Sequence, residues 1–353
     1  MNRIAIYRAC GIGDAVQLTP LLQQIRADFP VAKITLYVNS EVEALFRGCT
    51  FVDECIGFPP EITRGPFAEW GNFPLWRKIA ARGPVDVFLN LDPGWRRSIG
   101  LLLVRAKKKG GFRSPGWKPL RLFTHPMRVG RSARDTSLHQ SEFYLQLWRQ
   151  ITGTQDAQFG YEMRYLLTQG AAPAGLPARY LCLAPGSGNP YVQMETKRWP
   201  DLHWLTLASL LRKAGWEVVW LGSRADQQRL GLPPGQDNLL GRTDLIQTAQ
   251  VIAHSAGLIG NDSGMFHLAL GLHQKAAAFF GPTNPRHVGP FRTERALVLQ
   301  SSLPCMPCHK PICTVAPPPD TAAVRPFCMT TLTPENVLDK LLAFFEPSRL
   351  AAP

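Results

Sequence analysis

Short apolar runs alternate with longer amphipathic patterns along the chain. The short runs predict strands, because they are only a few residues long and end at glycine, proline or polar residues. They cover residues 4–7, 34–38, 52–56, 85–91, 180–184, 216–221, 257–259 and 276–280. Apolar residues at helical spacing predict helices at residues 15–29, 41–46, 75–81, 137–151, 201–214, 244–254, 265–272 and 334–345. This alternation predicts an α/β protein with doubly wound parallel sheets.

Residues 169–177 interrupt the alternation, and their glycine, alanine and proline content is typical of an interdomain linker. With 353 residues, the chain has the length of two domains. We therefore predict a first domain at residues 1–168, a second at 178–332, and a C-terminal helix and tail at 333–353.

Net charge and apolar content indicate which partner and which cell compartment to expect for the protein. The formal net charge is +13, which predicts an anionic partner. The sequence has neither a signal-peptide core nor an apolar run long enough to span a bilayer, so we expect a cytoplasmic protein. In that compartment the eight cysteines are not expected to form a disulfide framework.

Glycine-containing loops follow four predicted strands of the second half. They read Pro185-Gly186-Ser187-Gly188, Leu221-Gly222-Ser223, Asn261-Asp262-Ser263-Gly264 and Gly281-Pro282-Thr283. Because the carboxyl ends of parallel strands meet at one edge of a sheet, these loops are expected to converge where such folds bind ligands. The third loop leads into a helix, whose first N–H groups and dipole favour a phosphate. The alternative is that Asp262 or Ser263 only caps this helix.

A lysine lies close to this predicted site. Lys197 belongs to a run, TKRWP at residues 196–200, that follows the first glycine loop. A glycine loop, a helix start and a lysine together suit a diphosphate. Neither the Gly-x-Gly-x-x-Gly pattern of dehydrogenases nor a P-loop is present. The sequence therefore predicts a ligand of the nucleotide diphosphate type.

Three motifs give the chain a resemblance to glycosyltransferase family 9, the ADP-heptose:lipopolysaccharide heptosyltransferases. They are GIGDAVQLTPLL at residues 11–22, TKRWP at 196–200, and GNDSGMFHLA at 260–269 together with FGPTNP at 280–285. The resemblance implies a GT-B fold, with two Rossmann-like domains facing across a cleft, the acceptor domain first and the nucleotide-sugar domain second. It also implies inversion at the anomeric carbon and no cofactor or metal for catalysis.

The same resemblance assigns roles to individual residues. Asp14 matches the proposed general base, which takes the proton of the acceptor hydroxyl; the alternative is that it caps the following helix. Lys197 is expected to pair with the departing diphosphate. The donor-binding residues would be Ser187, Gly188, Lys197, Asp262, Ser263, Gly264 and His267. For His267 a buried structural role is the alternative. Asp226, in the loop at residues 222–226, is a candidate for holding the ribose.

Cations crowd residues 105–134, together with several glycines and prolines. This composition predicts an irregular loop, either simply solvated or binding an anion. Under the resemblance the acceptor is the phosphate-bearing inner core of lipopolysaccharide. We name Lys107, Lys108, Arg113 and Arg121 as acceptor-binding candidates. Such an acceptor also predicts peripheral contact with the anionic inner face of the inner membrane.

Cysteines cluster near the C-terminus, at Cys305, Cys308, Cys313 and Cys328. A C-x₂-C pair followed by two more cysteines has the character of metal ligands, so a structural iron or zinc is one interpretation. Free thiols or a local disulfide are the others.

We thus expect an inverting, metal-independent transfer of heptose from ADP-heptose to the lipopolysaccharide inner core. The alternative enzyme has the same fold with another nucleotide-sugar donor or a protein acceptor. A nucleic-acid-binding protein would also be basic, but no such motif is present, so we expect no nucleic acid partner.

Overall fold

The computed structural model describes residues 1–63, 72–92, 98–113, 122–128, 138–188, 194–315 and 326–346. The chain divides into two compact units, Met1–Tyr165 and Leu166–Pro353. No helix within the described ranges is both long and apolar enough to cross a membrane.

The first unit alternates strands and helices. Its strands are β1 Arg3–Tyr7, β2 Lys33–Asn39, β3 Glu54–Phe58, β4 Val85–Asn90, β5 Ala106–Arg113 and β6 His125–Arg128. Its helices are α1 Ile12–Asp28, α2 Ser40–Glu43, α3 Phe73–Ala81 and α4 Gln140–Thr152, with short 3₁₀ segments at Ala44–Phe46, Pro60–Thr63 and Ile99–Leu103.

The strands described in this unit form one parallel sheet in the order β3-β2-β1-β4-β5-β6. The central strand β1 is buried over Ile4–Tyr7 because it has a neighbour on each side and side chains packed on both faces. α1 and α4 pack against each other, and α4 also packs against β5. The residues that follow β1 and β4 therefore lie at the carboxyl edge of the sheet, where α1 and α4 begin.

The prediction of an irregular segment at residues 105–134 was wrong where the structure describes it, because β5 and β6 run through it. Gly110 and Gly111 lie inside β5, where neighbouring side chains leave no room for a Cβ atom. A Cβ on Gly110 would lie 2.4 Å from Ile151 Cδ1, and one on Gly111 would lie 2.2 Å from Phe123 Cε1. In the sequence these glycines indicated a loop. In the structure they let neighbouring side chains approach the strand closely.

The second unit repeats the alternation. Its strands are β7 Tyr180–Ala184, β8 Glu217–Trp220, β9 Gly257–Asn261, β10 Ala276–Phe280 and β11 Ala296–Gln300. Its helices are α5 Asp201–Lys213, α6 Arg224–Leu230, α7 Leu245–Ala253, α8 Gly264–Gly271, α9 Pro285–Val288, α10 Phe327–Thr330 and α11 Pro334–Phe345. Arg164–Thr168, which bridges the two units in sequence, and Glu195–Lys197 are 3₁₀ segments.

These strands also form a parallel sheet, in the order β11-β10-β9-β7-β8. β7, β9 and β10 are buried along their whole length, as expected for the interior of a parallel sheet covered on both faces. α11 packs against α5 within this unit. The loops after β7, β9 and β10 therefore share the carboxyl edge of the sheet, as the sequence predicts.

Candidate functional site

The start of α8 is the centre of the candidate site in the second unit. The chain leaves β9 at Asn261, and Ser263 occupies the N-cap position in an extended conformation. The Ser263 side chain makes no capping hydrogen bond. Its hydroxyl oxygen is buried and has no hydrogen-bond partner among the described residues. A buried hydroxyl beside a helix start has the chemistry to donate to an anion placed there.

Asp262 forms a buried ion pair with Lys197. The Lys197 ammonium lies 2.8 Å from Asp262 Oδ2, and the two side chains are 13% and 4% exposed. The Thr283 hydroxyl donates to the same oxygen at 2.6 Å, and His267 Nε2 lies 3.9 Å from Oδ1. Burial alone raises the pKa of Asp262, but Lys197, His267 and the hydrogen bonds from Lys197 and Thr283 hold this pKa below its ordinary value. The carboxyl is therefore ionised at neutral pH and pairs with the lysine.

Lys197 is held at this point by the loop that carries it. The Trp199 backbone N–H donates to Asn261 Oδ1 at 3.1 Å, and the Thr196 hydroxyl donates to the Lys310 carbonyl at 2.7 Å. The Trp199 ring is fully buried and stacks on Phe279 with ring centroids 4.0 Å apart. The buried tryptophan thus fixes the backbone on which the lysine lies.

The glycine loop after β7 is tied to the same place. Asn261 Nδ2 donates to the Pro185 carbonyl at 2.8 Å, so one buried amide joins the loop after β7 to the loop of Lys197. Ser187 is buried, whereas a Cβ on Gly188 would have no heavy atom within 4 Å. Gly188 is therefore not required by packing in the described structure.

Asp226 is used inside its own helix. Its Oδ2 accepts hydrogen bonds from the Ser223 backbone N–H at 2.9 Å and the Ser223 hydroxyl at 2.6 Å, which completes a capping box. Arg229 lies 3.2 Å from the other carboxylate oxygen. Both carboxylate oxygens of Asp226 thus have intramolecular partners. A ribose hydroxyl would have to share these oxygens with the helix cap.

Asp14 is the centre of the candidate site in the first unit. It lies in the first turn of α1, and Gly11 occupies the N-cap position, so the interpretation of Asp14 as the N-cap was wrong. Arg8 Nη2 donates to Asp14 Oδ1 at 3.0 Å, and Gln140 Nε2 donates to the same oxygen at 2.7 Å. The carboxylate is about one-third exposed. A partly exposed carboxylate at the carboxyl edge of the sheet has the chemistry to accept a proton from a bound hydroxyl.

The acceptor-binding candidates are not gathered around Asp14. Lys107 Nζ lies 2.7 Å from Asp86, and the Asp86 carboxylate also accepts from the Asn2 N–H, which places both at the amino edge of the sheet. Lys108 donates to the Ile151 carbonyl at the end of α4, 2.8 Å away. Both lysines have structural partners remote from the start of α1.

The two arginines among these candidates have different positions. Arg113 is the last residue of β5, so its backbone lies at the carboxyl edge, the edge that also carries Asp14. Arg121 lies outside the described residues.

The four C-terminal cysteines do not assemble into a metal centre in the described part of the chain, where no group of three or more histidine, cysteine or carboxylate residues is arranged to hold a metal ion. Cys328 belongs to the apolar core, and burial, followed by the nearby thiols of Cys308, Cys313 and Cys305, raises its pKa to about 12. In the described residues the four cysteines are thus not arranged as the predicted iron or zinc site.

Sequence reasoning missed four residues that build these two sites. They are Arg8, Gln140, Asn261 and Thr283, each of which bonds directly to a predicted residue or to its loop. Asn261 and Thr283 lie inside motifs already singled out, so their position was an available signal. Gln140 is 126 positions from Asp14, and no local pattern indicates that contact.

Comparisons with known proteins agree with this arrangement. The sequence model of glycosyltransferase family 9 (heptosyltransferase) matches residues 77–317. Lipooligosaccharide heptosyltransferase 2 of Campylobacter jejuni serotype O:2 is 32% identical over 357 residues, which cover 99% of this chain and 100% of that protein. Lipopolysaccharide heptosyltransferase 1 of Pseudomonas aeruginosa is 33% identical over 202 residues, which cover 52% of this chain and 56% of that protein. The latter match therefore spans only about half the length of that relative.

A solved structure shows the same fold. ADP-heptose LPS heptosyltransferase II of Escherichia coli has a TM-score of 0.71 to this chain at 20% sequence identity, over 99% of this chain and 100% of that one. This likeness and the two parallel sheets confirm the predicted GT-B fold with two Rossmann-like domains. The resemblance drawn from the motifs is also confirmed: the chain belongs to glycosyltransferase family 9, the heptosyltransferase family, and is a glycosyltransferase.

Proposed function

We propose that this enzyme transfers a heptose from ADP-heptose to the inner core of lipopolysaccharide, with inversion and without a metal. The names of the similar proteins supply the donor and the acceptor class. The observation that carries the proposal is the buried pair of Lys197 and Asp262 at the start of α8. A lysine, a buried hydroxyl and a helix start together suit the diphosphate of a nucleotide sugar.

On the donor side, these groups act on the leaving group. The bond between the anomeric carbon and the diphosphate oxygen breaks, and negative charge develops on that oxygen. Lys197, the Ser263 hydroxyl and the first backbone N–H groups of α8 stabilise this charge. Ser187 and Gly188 contact the nucleotide sugar from the loop after β7. His267 contacts it beside Asp262. Positive charge supplied by side chain and backbone performs the role that a metal ion has in other transferases.

On the acceptor side, Asp14 is the general base. The acceptor hydroxyl oxygen forms a bond to the anomeric carbon from the face opposite the diphosphate. Its proton passes to the Asp14 carboxylate, and ADP departs with the electron pair of the broken bond. Arg113 is retained as a contact for an acidic group of the acceptor because its backbone ends β5 at the carboxyl edge.

The proposed location of the enzyme in the cell follows from its acceptor. Lipopolysaccharide core is assembled on a lipid, so we place the enzyme in the cytoplasm, in peripheral contact with the inner face of the inner membrane. The net charge of +13 favours an anionic surface.

A turnover assay tests the proposal. The full-length protein is incubated with ADP-heptose and lipopolysaccharide that lacks core heptose, and release of ADP and the mass of the product are measured. Asp14→Asn is expected to abolish turnover while ADP-heptose still binds. The matched control is Asp53→Asn, which removes another ion-paired carboxylate of the same unit, 2.7 Å from Arg26, and is expected to retain turnover.

Two results would overturn the proposal. If another nucleotide sugar is consumed and ADP-heptose is not, the donor assignment is wrong. If Asp14→Asn retains turnover, Asp14 is not the base.

A further inference from the structure

Two side chains from different parts of the first unit donate hydrogen bonds to one oxygen of Asp14. Arg8, just beyond β1, donates to Oδ1 at 3.0 Å. Gln140, the first residue of α4, donates to the same atom at 2.7 Å. Since the two donors approach from separate elements, they fix both the position of Oδ1 and the direction in which the carboxylate faces.

Both donors are themselves held in place. The Arg8 side chain is only 11% exposed, and its Nη1 donates to the Leu91 carbonyl at 3.1 Å, just after β4. The Gln140 amide also lies 2.6 Å from the hydroxyl of Tyr144, which is buried one turn further along α4.

The start of α4 is anchored on α1 as well. The Ser141 hydroxyl donates to the Gln17 carbonyl at 2.8 Å, and His139 caps the helix. The position of Gln140 relative to Asp14 is therefore set by the packing of two helices.

The charges around this carboxylate favour its ionised form. Burial by itself lowers the pKa of Arg8, but the Asp14 and Asp92 carboxylates oppose this effect and the pKa lies well above its usual value, so the guanidinium stays charged. Burial raises the pKa of Tyr144 and of Cys10, so both remain neutral at physiological pH. Among the described residues, Arg8 is a cation that faces Asp14, and Asp92 is a second carboxylate near Arg8.

We propose that Gln140 and Arg8 are positioning residues for the general base, with Gln140 aiming the Asp14 carboxylate and Arg8 keeping it ionised. This inference rests on the proposed role of Asp14. Neither residue needs to touch the substrate. The neutral amide orients the carboxylate without adding charge, whereas the guanidinium supplies charge from behind the same oxygen.

The first test changes charge without changing shape. Gln140→Glu places a second carboxylate against Asp14, which disfavours ionisation of both. The acid limb of the kcat/KM profile against pH is expected to move upward by about one pH unit. Gln24→Glu is the matched control, because Gln24 donates to Asp28 at 2.9 Å on the same helix α1, remote from the site. That variant is expected to leave the acid limb where it is.

The second test separates orientation from charge. Gln140→Leu is expected to lower kcat about tenfold and to leave the KM for both substrates within about twofold. Arg8→Met is expected to lower kcat further, and Arg8→Lys to restore part of it because the cation is kept. Melting temperatures identify any variant that fails to fold, and Gln24→Leu controls for the loss of a buried glutamine.

The outcomes distinguish this inference from the proposed function. If Asp14→Asn abolishes turnover while Gln140→Leu and Gln140→Glu both behave like the wild type, Asp14 is the base and the positioning role is refuted. If Asp14→Asn retains turnover, the proposed base itself is wrong. An equal loss of kcat in Arg8→Lys and Arg8→Met would refute the charge role assigned to Arg8.

Discussion

Replacing Lys197 with methionine tests the buried pair most directly, because it leaves the Asp262 carboxylate without its cation. Asp262 is 4% exposed, and its remaining contacts are the Thr283 hydroxyl at 2.6 Å and His267 at 3.9 Å. Removal of one partner from a buried pair costs about 3–5 kcal/mol. For a unit of this size, that loss lowers the melting temperature by about 6–20 °C.

A double-mutant cycle measures the interaction itself. The full-length protein and its Lys197→Met, Asp262→Asn and doubly substituted variants are compared by differential scanning calorimetry and by urea unfolding. Because the double variant removes both charges, the two losses are expected to be non-additive by at least about 2 kcal/mol. The matched control is Arg212→Met with Asp237→Asn, an exposed pair 3.0 Å apart in the same unit. Its coupling is expected to be below about 1 kcal/mol.

The pH dependence supplies a second measure of the same pair. The pKa of Asp262 is lower in the folded protein than in the unfolded chain, so the carboxylate adds stability above its unfolded pKa of about 4, and this contribution is lost as pH falls through the folded value. Lys197→Met removes the main attraction that lowers this pKa, so the variant, although less stable at neutral pH, is expected to lose less stability than the wild type as pH falls below about 4. Additive losses within about 0.5 kcal/mol, together with an unchanged acid transition, would refute the reasoning.

Three further predictions follow from other contacts. Asn261→Ala leaves the Pro185 carbonyl and the Trp199 N–H without their buried partner, so we expect a loss of about 2–4 kcal/mol in urea unfolding; a loss below about 1 kcal/mol would contradict the bridging role. Gly111→Ala places a Cβ 2.2 Å from Phe123 and is expected to cost about 1–3 kcal/mol, measured the same way, whereas the open position Gly188 should accept alanine with little change. Excess EDTA is expected to leave turnover within about twofold of the untreated rate; a large loss that added Mg²⁺ restores would show that a metal takes part.

The predictions from sequence succeeded where chemistry and secondary structure lie close together in the chain. A buried strand that ends at Asn261 and restarts as a helix at Gly264 is visible as a local pattern, and its place in the sheet follows from the alternation of elements. Lys197 was found because it lies in a short motif, and the structure does bring it to Asp262.

Long-range packing accounts for what was missed. The glycines of β5 were interpreted as loop signals because their contacts with Ile151 and Phe123 come from distant segments. Lys107 and Lys108 were named as acceptor-binding candidates, although their ammonium groups contact unrelated partners, Asp86 and a helix carbonyl. The Gln140 contact with Asp14 depends on how two helices pack, which composition and periodicity do not encode.

The bridge made by Asn261 limits how the nucleotide specificity of this fold is redesigned. Its single amide joins the end of β7 and the Lys197 loop at the point where the chain leaves β9. A grafted loop after β7 that moves the carbonyl at position 185 would disturb the lysine as well, even if the graft itself folds. Exchange of donor-binding loops between relatives is therefore expected to succeed when the segments at 185–188, 194–199 and 261–264 are transplanted together, and to fail when one is moved alone.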